Sequence, residues 1–121
     1  MKALSIHQPW AWLVATGHKD IENRTWRTRY RGPLLVHATL QLDVADFDRA
    51  AALLAQTNPA IIIDRAQLQF GGVIGRVELV DVVTRSESPW IVGPFGWALR
   101  SAQPLPFRRI RGRQNLFDVS D

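Results

Sequence analysis

The segment GHKDIENRTW, residues 17–26, marks a change of periodicity and therefore decides how the fold is divided. Before it, Trp10, Leu13 and Val14 have the i, i+3, i+4 spacing of one apolar face of a two-turn helix. Gly17 is a typical helix stop, because glycine accepts a positive φ after the last turn. After it, apolar and charged residues alternate, which is the period of a β-strand. The sequence thus predicts that a helix ends and a strand begins within this segment.

Outward from this junction, the periodicity predicts five or six short strands and two helices. The predicted elements are, in chain order, a strand at 3–6, the helix near Trp10, a strand from Asp20 to Arg31, a strand at 34–38 after a Gly32-Pro33 turn, a helix from Asp43 to about Gln56, the longest strand at 73–83, a strand at 96–101, and one or two edge strands in the tail. So many short strands favour an α+β fold that is mostly antiparallel and closed into a small β-barrel.

Composition excludes several classes of site. With 121 residues, 46% of them hydrophobic, the chain can bury one core, so a single domain over 1–121 is expected. It has no cysteine, which excludes a disulfide framework, a cysteine-zinc site and a thiol nucleophile. His7, His18 and His37 lack metal-ligand spacing, so neither a metal nor a cofactor is expected. We expect His37 to be a core histidine and regard His7 as a candidate to face a cleft.

The terminal sequence and the apolar runs bear on location. The N-terminal residues lack the apolar region of a signal peptide. No apolar run reaches the roughly 18 residues that a membrane-spanning helix needs. We therefore expect a cytoplasmic location and no membrane partner.

The basic residues are unusual in kind and in placement. Thirteen of the fifteen are arginine, and the net charge is +4. They concentrate in RTWRTRYR at 24–31, where Trp26 and Tyr30 alternate with arginines, and in RRIRGR at 108–113. Arginine forks grip phosphate and aromatic faces stack on unpaired bases, so the two segments are candidate parts of one nucleic-acid-binding stripe. A solvated cationic strand face, or arginine-rich codon usage, is the alternative interpretation.

Three charged residues follow the predicted helix at close spacing: Lys19, Glu22 and Arg24. Glu22 and Arg24 share parity on the predicted strand and Lys19 lies at its start, so the three are expected to converge. Such a cluster can accept a hydrogen bond from a base amino group and donate to phosphate or carbonyl oxygens. The alternative is an ion-pair network that fixes the junction between helix and strand.

Several motifs resemble the ASCH domain family, and they occur in the family's order. Gly17, Lys19, Glu22 and Arg24 match the signature G-x-K-x-x-E-x-R, and the likeness extends to QPWA, YRGPLLVHA, GGVIGRVELVDVV and GWAL. The resemblance covers most of the chain and thins between about 40 and 70. It implies a PUA-like β-barrel with a cleft at the signature residues, and RNA or another nucleic acid as the ligand. Some members are similar to small amidohydrolases or nucleases.

The residues and the resemblance together predict a site for RNA, single-stranded or carrying a modified nucleotide. Lys19 and Arg24 are expected to contact phosphate or carbonyl oxygens, and Glu22 to accept from a base edge or orient the two cations. Gln8 is expected to contact a base edge, and Trp10, Trp26 or Tyr30 to stack on bases. The residues expected to contact the polyanion backbone are Arg29, Arg31, Arg109 and Arg111.

A small metal-independent hydrolase, acting on an acylated nucleoside or cleaving RNA, is the alternative function. The amidohydrolase relatives imply a catalytic lysine, a threonine three residues later and a distant glutamate. Lys19 fits the first position and Glu78 is the candidate for the third, but Glu22 stands at the threonine position, so the nucleophile is missing. RNA cleavage would use Lys19, Glu22 and Tyr30. A protein-interaction module whose basic face meets an acidic partner is a third alternative.

Overall fold

The computed structural model describes residues 1–120, which form six β-strands, two α-helices and a short 3-10 helix. The elements are β1 (Lys2–Gln8), α1 (Trp10–Ala15), β2 (Ile21–Arg24), β3 (Gly32–Leu42), α2 (Val44–Thr57), the 3-10 helix (Arg65–Gln67), β4 (Gly72–Val83), β5 (Phe95–Arg109) and β6 (Leu116–Asp118). Over residues 1–120, no helix combines the length and the apolar character that crossing a membrane requires.

All six strands belong to one sheet, in the order β2-β5-β4-β3-β1-β6. β1 and β3 are parallel, and the other neighbouring pairs are antiparallel. The prediction of a mostly antiparallel α+β fold with two helices is therefore confirmed. The prediction of a closed barrel is wrong, because within residues 1–120 β2 and β6 lie at opposite ends of the sheet and do not pair. These end strands have four and three residues, which is too little edge for the staggered pairing that closes a barrel.

Strand β2 ends at Arg24, whereas the sequence predicts a strand as far as Arg31. Beyond Arg24 the chain turns so that Trp26 packs edge-on against Trp97, with ring centroids 4.8 Å apart. The indole Nε1 of Trp97 also donates to the backbone oxygen of Trp26 at 3.2 Å. Because Trp97 is fully buried, this contact draws Trp26 onto the core and away from the sheet edge.

Strand β5 is longer than predicted, because its two prolines do not interrupt it. The expected strand at 96–101 runs from Phe95 to Arg109 and includes Pro104 and Pro106. Proline lacks the N–H that a ladder between two partners needs, so it is confined to edges. β2 pairs only with residues 95–98 of β5, which leaves the rest of β5 with β4 as its single partner. The second half of β5 is an edge, and the prolines are accommodated there.

Helix α1 ends where the sequence predicts and packs directly on the sheet. Gly17 has a φ of 82°, and its N–H donates to the carbonyl of Val14 at 3.1 Å. The helix lies over β4 at Gly75, where a β-carbon would be 2.6 Å from the Cβ of Ala15. This close approach fixes the position of α1 and of the residues at both of its ends.

Helix α2 begins at the predicted cap. The carboxylate of Asp43 accepts a hydrogen bond from the backbone N–H of Asp46 at 3.1 Å, which satisfies one of the free donors of the first turn. Ala50 and Leu54 are buried, and the opposite face of the helix is exposed. The helix therefore covers an apolar cluster with one side and presents polar residues with the other.

Replacing Gly75 with alanine should lower the free energy of unfolding by about 1–3 kcal/mol, because the added methyl group overlaps Ala15 and pushes α1 from the sheet. Chemical denaturation measures the change. Ser86→Thr, which adds a methyl group at an exposed loop position, is the matched control and should change stability by less than about 0.5 kcal/mol. Equal stability of the two variants would contradict direct packing of α1 on β4.

Candidate functional site

A cleft of about 1590 Å³ lies between the ends of several elements. Its walls come from β1 and β3, from α2, from the loop between β4 and β5, and from the chain that follows β5. Pockets for single small ligands usually measure about 300–1,000 Å³, so this one has room for a longer ligand. The predicted site residues that line it are Trp10, Lys19, Glu22, Arg24, Arg109 and Arg111.

Lys19, Glu22 and Arg24 form one ion-pair network in the cleft. Glu22 accepts from Lys19 Nζ through Oε1 at 3.3 Å and pairs with Arg24 Nη2 through Oε2 at 3.1 Å. Relative side-chain exposure is 4% for Lys19, 9% for Glu22 and 22% for Arg24. Both carboxylate oxygens are occupied, so in this arrangement Glu22 orients the two cations.

Arg24 carries the network across to β1. Its Nη2 donates to the backbone oxygen of Ser5 at 2.7 Å. Its Nε is buried and has no hydrogen-bond partner among residues 1–120. The ammonium of Lys19 also donates to the backbone oxygen of Ile21 and lies 5.5 Å from the ring centroid of Trp10. The network therefore connects β2, the end of α1 and β1.

Two tryptophans form an aromatic corner of the cleft. Trp10 and Trp90 meet edge to face, with centroids 6.3 Å apart and planes at 81°. Trp90 is 5% exposed and packs against Trp10, which is the more accessible of the two. The sequence reasoning missed Trp90, because it lies in the Ser- and Pro-rich loop before β5, where no periodicity assigns it to a face.

Asn23 holds this loop against β2. Its Nδ2 donates to the backbone oxygen of Trp90 at 2.9 Å, and its Oδ1 accepts from the N–H of Val92 at 2.9 Å and of Gly93 at 3.1 Å. Asp20 accepts a further hydrogen bond from the hydroxyl of Ser88. The charged segment that follows α1 therefore positions the aromatic corner as well as the ion pairs.

Three arginines form a second wall: Arg109, Arg111 and Arg113. The residues between them, Ile110 and Gly112, pack this segment against His37. His37 Nε2 contacts the backbone oxygen of Ile110 at 2.6 Å, and a β-carbon on Gly112 would lie 2.6 Å from His37 Cε1. His37 is 2% exposed and its ring nitrogens are both engaged, as expected of a core histidine.

His7 and Thr39 form a polar pair in the cleft. Thr39 Oγ1 lies 2.8 Å from His7 Nδ1 and accepts from the N–H of Gln41 at 3.2 Å. The hydroxyl can donate to His7 Nδ1 in the tautomer that carries its hydrogen on Nε2. Thr39 was missed because it follows a buried strand pattern without any polar motif. Within residues 1–120, no group of His, Asp and Glu has metal-binding geometry.

Three residues that were predicted to contact the ligand form contacts within the fold instead. Gln8 is fully buried, with its Nε2 donating to Gln69 O at 2.8 Å and its Oε1 accepting from Trp12 N at 2.9 Å. Trp26 packs on the core as described above. The hydroxyl of Tyr30 donates to the backbone of Pro33, and its ring packs against the core. None of the three lines the cleft.

Arg29, Arg31 and Glu78 also lie outside the cleft. Arg31 is 3.7 Å from a carboxylate oxygen of Asp81, on β4. Glu78 is 3.5 Å from Arg76 on the same strand and does not line the cleft that Lys19 and Glu22 share. For the two arginines the physical reason is the end of β2 at Arg24, which sends the 25–31 segment away from the cleft.

Replacing Glu22 with glutamine should lower the free energy of unfolding by about 3–5 kcal/mol, because the buried ammonium of Lys19 loses its counter-charge. Urea denaturation measures the loss. Glu87→Gln is the control, since Glu87 is exposed and forms no ion pair with residues 1–120. A Glu22→Gln protein as stable as this control would mean that the network does not hold the junction.

Comparison with known proteins identifies relatives. The ASCH domain model matches residues 4–91. Activating signal cointegrator 1 of Homo sapiens is 32% identical over 88 residues, which cover 69% of this chain and 15% of that protein. The Mus musculus protein of the same name has the same identity and coverage. The chain thus spans only about 15% of the length of these curated relatives. Since the family match covers well over half of its residues, the chain belongs to the ASCH domain family.

Proposed function

We propose that this ASCH domain binds single-stranded RNA in the cleft. One observation carries the proposal: the cleft combines an aromatic corner with a wall of arginines. Stacking faces and phosphate-binding cations are the two components of sites for single-stranded nucleic acid. The expectation of RNA or another nucleic acid that comes with the ASCH resemblance supports the same ligand class.

Trp10 is the proposed stacking surface. It lines the cleft and is partly exposed, and Trp90 fixes its orientation from behind. Lys19 lies 5.5 Å from the centroid of its ring, a cation–π contact that helps to hold the indole in place. An unpaired base, with or without a modification, would lie on the accessible face of Trp10.

Arg24 is the proposed donor beside that base. Lys19 and Glu22 are nearly buried, so we assign them the role of positioning Arg24 and Trp10. Arg24 remains partly exposed, and its guanidinium group suits a phosphate or carbonyl oxygen. A buried network of this kind pre-organises the site, which reduces the entropy lost on binding.

Replacing Trp10 with leucine should weaken binding of a labelled single-stranded RNA by between about 5-fold and 150-fold, because one stacked base contributes about 1–3 kcal/mol. Fluorescence anisotropy measures the binding affinity. Trp12→Leu is the matched control: Trp12 is on the same helix, packs on His18 and lies outside the cleft. Thermal melting of both variants accounts for any loss of fold.

The same measurement with single-stranded DNA and duplex RNA of equal sequence tests the ligand class. The proposal expects duplex RNA to bind more weakly, because its bases are not available to Trp10. Equal loss of affinity in the Trp10 and Trp12 variants, or preference for duplex, would reject the cleft as a single-strand site.

The contact between Thr39 and His7 favours a second candidate function, hydrolysis of an acylated nucleoside. Their 2.8 Å separation is that of a nucleophile and its general base. Thr39 Oγ1 would attack the acyl carbon while its proton passes to His7 and on to the leaving amine. Water would then hydrolyse the threonine ester, with His7 accepting the proton of the water and returning it to Thr39 Oγ1 as the acid leaves. This pair stands in place of the set of Lys19, Glu22 and Glu78, which is not assembled.

Incubation with N4-acetylcytidine tests this second candidate. Release of acetate should occur with the natural chain and be lost in Thr39→Val, which removes the hydroxyl but keeps the shape. Thr84→Val, at an exposed position outside the cleft, should retain the activity. Absence of turnover in the natural chain would reject the hydrolase and leave the RNA proposal unaffected.

A further inference from the structure

The wall formed by Arg109, Arg111 and Arg113, called the arginine comb below, has a regular construction. The three residues alternate with Ile110 and Gly112 from the last residue of β5 into the segment that follows it, and all three are exposed in the cleft. This segment lies outside residues 4–91, which match the family model. The comb is therefore a feature of this chain beyond the signature residues.

The alternate residues fix the comb to the sheet. Ile110 donates through its N–H to Gly71 O at 3.2 Å, and its carbonyl contacts His37. At Gly112 the backbone passes so close to β1 and β3 that a β-carbon would be 2.8 Å from Ser5 Oγ. With Ile110 and Gly112 held against the strands, the arginines between and beside them point away from the sheet.

The comb also carries the uncompensated positive charge of the cleft. Lys19 and Arg24 share the carboxylate of Glu22, and Arg49 on the α2 wall pairs with Asp46. No comb arginine forms an ion pair with a carboxylate in the described part of the chain. A polyanion in the cleft would therefore run along the comb.

We propose that the arginine comb binds at least three consecutive phosphates of a single-stranded nucleic acid. Alternate residues of an extended segment are about 7 Å apart, so the comb extends over about 14 Å. A nucleoside or mononucleotide can contact one of the three arginines, whereas a strand can contact all three. The inference rests on the function proposed above and assigns its ligand class: an oligonucleotide that enters with its backbone on the comb and a base toward Trp10.

The test uses 5′-phosphorylated oligouridylates of one, two, four and six nucleotides, titrated against the full chain at several salt concentrations. Affinity should rise steeply up to four nucleotides. The logarithm of the binding constant should fall with the logarithm of salt concentration with a slope of about −2, since each phosphate contact on a single strand contributes roughly −0.7. Arg111→Ala and Arg113→Ala should each reduce the steepness by about 0.7.

Two further variants distinguish the effect of an arginine's position from the effect of its charge. Arg108→Ala removes the same charge from the same segment, but Arg108 donates to the backbone of Ser120 outside the cleft, so it should leave the slope nearly unchanged. Gly112→Ala keeps every charge but displaces the comb, so it should weaken binding of the tetranucleotide. Oligodeoxyuridylates of the same lengths serve as the DNA arm, and the comb should bind them with the same dependence on length.

The outcomes are distinguishable. A steep length dependence together with loss in Arg111→Ala and not in Arg108→Ala supports the comb. If uridine monophosphate binds as tightly as the tetranucleotide, or Arg108→Ala weakens binding as much as Arg111→Ala, the comb is rejected and the cleft as an RNA site is retained. If no oligonucleotide of any length binds, the proposed function itself is rejected.

Discussion

The carboxylate of Glu22, held between Lys19 and Arg24, is the interaction on which the rest of the site depends. β2 has only four residues and one strand partner, and a strand of that length is marginal by itself. The ion pairs connect it to the end of α1 and, through Arg24, to the backbone of Ser5 on β1. Because Asn23 lies between the paired residues, the same short strand also holds the loop that carries Trp90.

Interactions within a short stretch of chain were predictable from the sequence. The spacing of Lys19, Glu22 and Arg24 predicts their convergence, and they meet within six residues of one another. The helix stop at Gly17 and the cap at Asp43 were predicted for the same reason, since a local backbone requirement selects the residue type.

Interactions between distant segments were not predictable in this way. The alternation from Trp26 to Tyr30 fits a strand, but the partner that ends β2 is Trp97, far along the chain. Period two cannot distinguish a strand from an extended segment that packs on a buried ring. For the same reason the 24–31 segment shares the cleft with Arg109 and Arg111 only through Arg24, whereas Arg27 stacks on Phe95 at 5.2 Å.

The open sheet has one further consequence, which concerns association between copies of the chain. An edge strand presents unpaired backbone groups that can pair with a neighbouring molecule and seed aggregates. The free half of β5 is the longest such edge, and Pro104 and Pro106 remove two of its donors. The two arginines at its end add like charges that repel a second copy. The prolines that interrupt the strand pattern in the sequence thus remove pairing sites from this edge.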